Sequence, residues 1–331
     1  MSVRTTVVGS WPIPFGLRPR LKEYYAGELS EEQAEPTLTA AARIAMDEQL
    51  ACGMDEIMGG EVFAPDFVHH VPSRLHGLNT IQPRDTAKGY DGVGIYEVAG
   101  KLSAPIGTGH AKAFRREAAI EPGLGKASVP SPFTIGSDFK TQDPSYLNDL
   151  VVVVQDEIED MVKAGLKELQ LDAPTEAIEL VTGRRTVDEL LPLVIAPLDA
   201  AAGIRRSVHF CLGDNARTTA TESQNLRSLL PLIQRLDGVV DRIHIECSYP
   251  GQWHDREILR DLPQSMEVIA GIADVKSAPA SVEQLAEKIE DLKSIITADR
   301  LLVSSSCGCG RVPHDQAIRL MRNLVKAAAR A

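Results

Sequence analysis

The chain has 331 residues, 44% hydrophobic and 24% charged, with a formal net charge of -11. That length can bury a large core, as one α/β barrel or as two domains, and the acidic balance, without a block of like charges or a basic stripe, argues against a nucleic-acid surface. Five cysteines, an odd number not spaced as a disulfide scaffold, read as reduced thiols of a cytoplasmic protein; no run of 18 apolar residues offers a membrane span, and MSVRTTVVGSWP lacks the pattern of a signal peptide.

The first strand is expected over Thr5–Val8, ending at Gly9 and Ser10. A stretch of helical period, Glu32–Cys52, leads to a second strand at Glu56–Met58 and then to Glu61. Residues 63–125 break the rhythm with many Gly and Pro and weak strands around Ile95–Leu102 and Lys112–Glu121, which reads as a lid or hairpin excursion. Strand Lys126–Val129, helix Tyr146–Ala164 and strand Glu168–Leu171 follow, the last ending at Asp172. Residues 174–200 form a second, helical insertion. Strands Ser207–Phe210, Arg242–Ile245, Glu267–Ala270 and Leu301–Ser304 complete the series, with helices at Ser223–Leu236, Val282–Ile295 and Asp315–Ala329. Eight strands with helices between them predict a single (β/α)8 TIM barrel over residues 1–331, with insertions after strands 2 and 4.

Barrel active sites lie at the C-terminal ends of the strands. Those ends here carry Gly9 and Ser10, Glu61, Asp172, His209 and Cys211, Glu246, and the Cys307-Gly308-Cys309 run. His209 and Cys211 are two apart, so in a strand both point to one face. An imidazole, thiolates and a carboxylate from separate strands suit Zn2+ better than a harder cation. Each piece alone has a plainer reading. A buried cysteine packs as a small hydrophobe, Cys307 and Cys309 fit a redox pair or a turn, and Glu246 fits an arginine partner. Zinc deprotonates a coordinated thiol, which favours alkyl transfer to sulfur. Glu246, as the hardest donor, is the expected replaceable ligand. Water activation for hydrolysis is the rival use of an open zinc position, disfavoured because thiolate ligands make the ion a poorer Lewis acid.

In order along the chain, Thr6-Val7-Val8-Gly9-Ser10-Trp11-Pro12, Gly60-Glu61 with Asp66, Ser131-Pro132-Phe133-Thr134-Ile135, Leu169-Gln170-Leu171-Asp172-Ala173-Pro174, His209-x-Cys211, Glu246, Gly271-Ile272-Ala273-Asp274-Val275-Lys276-Ser277 and Cys307-Gly308 resemble the catalytic barrel of cobalamin-independent methionine synthase, in the superfamily that includes uroporphyrinogen decarboxylase. The resemblance implies His209, Cys211, Glu246 and Cys307 as the zinc ligands, choosing Cys307 over Cys309. It also implies that Ser10, with Gly9 beside it, Glu61 and Asp172 hold the amino acid part of homocysteine. Asp172 and Lys276 are the expected catalytic groups. The bland alternatives are a helix cap for Asp172, an ion-pair partner for Glu61 and a solvated loop position for Lys276.

Departures from the family's pattern bear on the methyl donor. Its second, N-terminal barrel is expected to be lacking, and its folate-stacking tryptophan is replaced by the region of Ser137, Asp138 and Phe139. Ala173 replaces a glutamate, and Lys276 stands where the family's proton-donating histidine would be. A lysine near a pKa of about 10.4 protonates a leaving nitrogen less readily than an acid near 7. The expected donor is therefore methylcobalamin, a corrinoid protein or another activated alkyl donor rather than polyglutamyl folate. The expected reaction is methyl transfer to a small-molecule thiol, homocysteine first, and a homodimer is compatible with it. Two alternatives stand: a zinc-dependent transferase or lyase acting on another thiol, as in epoxide–coenzyme M transferases, and a non-catalytic, zinc-stabilised or corrinoid-docking subunit.

Overall fold

Short β-branched runs become strands, and the stretches of helical period become helices around them. A computed structural model describes residues 3–63, 68–85, 93–213 and 218–331; Asp66 lies outside the described residues. The strands are β1 (Arg4–Thr5), β2 (His76–Gln82), β3 (Ile95–Ser103), β4 (Lys126–Pro130), β5 (Glu168–Asp172), β6 (Arg205–Phe210), β7 (Arg242–Glu246), β8 (Glu267–Ala273) and β9 (Leu301–Ser305). The helices are α1 (Arg18–Tyr25), α2 (Glu31–Cys52), α3 (His110–Ile120), α4 (Pro132–Gly136), α5 (Tyr146–Lys163), α6 (Pro174–Val181), α7 (Val187–Leu198), α8 (Leu230–Gln234), α9 (Pro250–His254), α10 (Val282–Lys293) and α11 (His314–Arg330). Seven strands form one parallel sheet in the order β1-β9-β8-β7-β6-β5-β4, and β2 and β3 form a separate antiparallel hairpin. The curled parallel sheet gives a TIM-barrel-like α/β fold. The insertions fall where expected: the hairpin and α3 precede β4, and α6 and α7 follow β5.

The second expected strand, Glu56–Met58, is not one. Side chains take over its ladder. Asp55 Oδ2 accepts from the Thr5 amide and hydroxyl, both at 2.8 Å. Gln49, from α2, brackets Met58, donating to its carbonyl at 2.9 Å and accepting from its amide at 3.0 Å. One ladder-like bond remains, from Glu56 N to Thr5 O at 3.1 Å. The first strand shortens for the same reason, since Lys126 Nζ and Gln170 Nε2 donate to the Val7 and Val8 carbonyls. Every buried backbone group still needs a partner; at this seam the partners are side chains.

A second correction concerns Lys112–Glu121, which lies almost wholly in α3. Its buried residues His110, Ala113, Phe114 and Glu117 recur at helical spacing, with an apolar face too narrow to stand out among charges. Ser223–Leu236 yields only α8 after a 3₁₀ turn at Leu226–Leu229.

Alternation along the strands divides the core in two. Leu169, Leu171, Val208, Phe210, Ile243 and Ile245 are fully buried in the hydrophobic cluster that holds the helix residues Ile158, Leu320 and Leu324. Each contributes roughly 1.5–3 kcal/mol. The opposite face is polar. At its lower end Arg242 pairs with Glu168 at 2.7 Å, Glu56 at 2.8 Å and Glu267 at 2.6 Å. Two residues further along each strand come Gln170, His209 and His244, and then Asp172, Cys211 and Glu246. This polar column carries the chemistry to the barrel mouth.

Candidate metal centre and carboxylate pocket

β6 and β7 pair in parallel with His209 opposite His244, which sets Cys211 and Glu246 just beyond them. The loop after β9 brings Cys307. One ligand atom each from His209, Cys211 and Cys307 lies within 4.8 Å of the others, and the two sulfurs are 3.9 Å apart. Two thiolates on a tetrahedral zinc, with Zn–S near 2.3 Å, would sit about 3.8 Å apart. His209 Nε2 is buried without a hydrogen-bond partner, and an orphaned buried nitrogen costs free energy unless something fills it. Burial pushes the His209 imidazole down to about 3, so it presents a lone pair. The Cys307 sulfur, then burial, holds Cys211 well above the usual thiol range. A soft divalent cation relieves both conditions, and the donor set suits zinc.

Glu246 stands beside this group with its carboxylate already engaged. It accepts from the Leu212 amide at 2.8 Å and pairs with Lys276 Nζ. Lys276 is therefore no solvated loop residue; its side chain is 4% exposed. Burial alone would lower it, but Glu246 and the two sulfurs outweigh that and raise it above the usual lysine range.

The second cluster is acidic. Ser128 Oγ donates to Glu61 Oε1 at 3.2 Å, and Gln170 Nε2 donates to Asp172 Oδ1 at 2.8 Å. Burial first, then the Glu61 charge, raises Asp172 well above the carboxylate range. Asp172 does not cap α6, whose N-cap is Ala173 with no side-chain bond. A Cβ on Gly9 would lie 2.3 Å from Glu61 Oε1, so only glycine lets this carboxylate in. Glu61 itself has φ 58°, a left-handed conformation that a side chain rarely adopts. Ser10 joins the mouth from the other side. Its Oγ accepts from Gly310 N at 3.2 Å, its carbonyl accepts from Cys309 N at 2.7 Å, and Gly308 leaves it room.

Two residues escape the sequence reading. Glu117 on α3 lines a cavity of about 30 Å³ with Glu61, His110, Met58 and Gly59; its segment reads as a weak strand, so its inward face is hidden. His244 touches His209; the alternation of Arg242, His244 and Glu246 was the available signal. Burial, then Glu61, pushes Glu117 up to about 8, and burial pushes Glu176 up to about 7. Raised folded-state values mean that the fold binds extra protons between about 4.5 and these values. Stability is therefore fully present below about pH 4.5 on this account and is lost as pH rises through 7 and 8. Urea midpoints of the metal-free protein are expected to fall between pH 5 and pH 8.5, and Glu117→Gln should flatten that slope. An unchanged slope would remove Glu117 from the explanation.

Among the described residues no helix is long and apolar enough to cross a membrane. The family model described as "Cobalamin-independent synthase, Catalytic domain" matches residues 3–330. A methionine synthase of Sulfolobus acidocaldarius is 23% identical over 339 residues, covering 97% of this chain and 90% of that relative. A 5-methyltetrahydropteroyltriglutamate–homocysteine methyltransferase of Thermotoga sp. is 22% identical over 342 residues; this chain spans 44% of its length, and the match takes in 98% of this chain. The fold matches a B12-independent methionine synthase of Shewanella sp. W3-18-1, solved with selenomethionine, at a TM-score of 0.79 and 19% identity, covering 99% of this chain and 97% of that one.

Proposed function

We propose, starting from the fact that this chain belongs to the cobalamin-independent synthase catalytic-domain family, that it is a zinc-dependent methyltransferase converting homocysteine to methionine. In this reading His209, Cys211 and Cys307 hold the ion, and Glu246 is the exchangeable fourth donor. The observation that carries it is an imidazole whose Nε2 is buried and unpartnered, at His209, grouped within 4.8 Å with two sulfurs that are 3.9 Å apart. Bound there, zinc would supply the charge that keeps an acceptor sulfur ionised at neutral pH.

The chain's own residues do the rest. Glu61 and Asp172, two carboxyls held close enough to oppose each other's ionisation, suit the substrate ammonium, whose charge relieves that opposition. Ser10, beside Gly9, offers a hydroxyl to the carboxylate end. Lys276 holds Glu246 in place, so its role is to position a carboxylate and balance its charge. This acidic pocket favours an amino acid thiol over coenzyme M, which has no ammonium.

The corrinoid donor expected from the sequence sits poorly with a family designated cobalamin-independent; a methylated folate is the proposed donor. The test is metal analysis of protein purified without chelator, followed by turnover with methyltetrahydrofolate, its triglutamate and methylcobalamin. One zinc per chain and methionine formed from a folate donor are expected. Protein without stoichiometric zinc overturns the metal reading, and turnover with methylcobalamin alone overturns the donor.

A further inference from the structure

The polar column beneath the metal centre has a directed hydrogen-bond order, and that order can be read atom by atom. It starts at β9. The Ser304 hydroxyl lies within donating distance of the Ser305 carbonyl, at 2.8 Å, an arrangement that leaves its oxygen free to accept. His244 Nε2 lies 2.5 Å from that Ser304 oxygen and 3.2 Å from the Ser305 carbonyl oxygen. The Ser305 carbonyl can only accept, and this assigns the hydrogen to His244 Nε2. A neutral imidazole has one N–H, which leaves His244 Nδ1 with a bare lone pair. That atom meets His209 Nδ1, with ring centroids 4.4 Å apart. Two bare lone pairs cannot face each other, so His209 Nδ1 bears the hydrogen and donates it. His209 Nε2 is then unprotonated, and it is the buried nitrogen without a partner.

We propose that His244 is a positioning residue for the metal centre: it accepts from His209 Nδ1–H, locks the tautomer with Nε2 bare, and holds that ring toward Cys211 and Cys307. Carboxylates or backbone carbonyls commonly take this place behind a metal-bound histidine. Here a second imidazole does so, itself fixed by the carbonyl of Ser305 and the hydroxyl of Ser304. The strand register makes this possible, because His209 and His244 are direct neighbours in the parallel ladder and both face the polar interior. A tautomer fixed before the ion arrives spares the imidazole a shift of its proton from one ring nitrogen to the other on binding. The inference rests on the metal reading above, and its tests can fail separately from it.

The first test uses the unaltered protein without metal. Long-range ¹H–¹⁵N spectra of the imidazoles are expected to show His209 as the Nδ1–H form and His244 as the Nε2–H form. His209 found as the Nε2–H form, or doubly protonated at pH 7.5, overturns the proposal even if zinc binds normally. The second test measures zinc affinity by chelator competition. His244→Phe, which keeps the volume and removes the acceptor, is expected to weaken zinc binding about 10- to 100-fold. His244→Asn, whose Oδ1 falls near the lost Nδ1, should recover most of it. Equal affinity in parent and His244→Phe overturns the proposal, as does an equal loss in both variants. If His244→Phe does not fold, the tautomer spectra decide the matter alone. Failure of the parent to bind zinc would sink the metal reading and leave the tautomer assignment standing.

Discussion

Cys211→Ala is expected to leave purified protein essentially without zinc and to lower kcat/KM for methyl transfer about 10³-fold. The size follows from the several kcal/mol that a metal supplies to a charged transition state, at about 1.4 kcal/mol per tenfold. Metal content by mass spectrometry and initial rates with homocysteine provide the readout. Cys211 is buried and within reach of both other ligands, so no second sulfur replaces it without rebuilding the loop after β9. Cys309→Ala is the matched control, since its backbone amide is tied to Ser10 and its side chain packs in the hydrophobic cluster. It should keep its zinc. The Cys211→Ala protein should also melt with the chelated parent, because both lack the same ligand-linked stabilisation. Zinc retained in Cys211→Ala, or lost from Cys309→Ala, reverses the ligand assignment.

Asp172→Asn should separate substrate binding from stability. Removing one partner of a buried, hydrogen-bonded charge pair costs about 2–5 kcal/mol, or roughly 30- to 4,000-fold in kcat/KM, with the change carried largely by KM for homocysteine. The substrate-free protein should respond in the other direction. Asp172 and Glu61 oppose each other's ionisation, so the amide relieves a repulsion and the melting temperature should hold or rise. A thiol without the amine, 4-mercaptobutyrate, should be a poor acceptor for the parent, and Asp172→Asn should make it little worse. If both thiols lose equally, Asp172 does not meet the ammonium.

The parallel strands and the ends that carry His209, Cys211, Glu246 and Asp172 are legible because short β-branched, apolar runs that stop at a polar residue mark buried strands. The Glu56–Met58 segment misled for a physical reason. A run that short reads as a strand whether its amides meet another backbone or, as here, the side chains of Asp55 and Gln49. The Lys112–Glu121 segment misled because its apolar positions are few, and Glu117 vanished with it. Lys276 departs from the family's pattern, but its partner Glu246 lies 30 residues away and no local pattern joins them. Nor does the sequence reveal which nitrogen of a histidine faces which neighbour. That needed the register of β6 on β7.

The left-handed backbone at Glu61 has a consequence for anyone engineering this protein. A side chain there costs about 1–2 kcal/mol relative to glycine, and the neighbouring carboxyls add to that burden. A screen for heat resistance would therefore reward Glu61→Gly twice, once for the backbone and once for the charge. The winners of such a screen would be robust barrels that no longer grip an amino acid. Selection on temperature alone would erase the pocket first, so any thermostabilisation campaign has to score turnover in the same round.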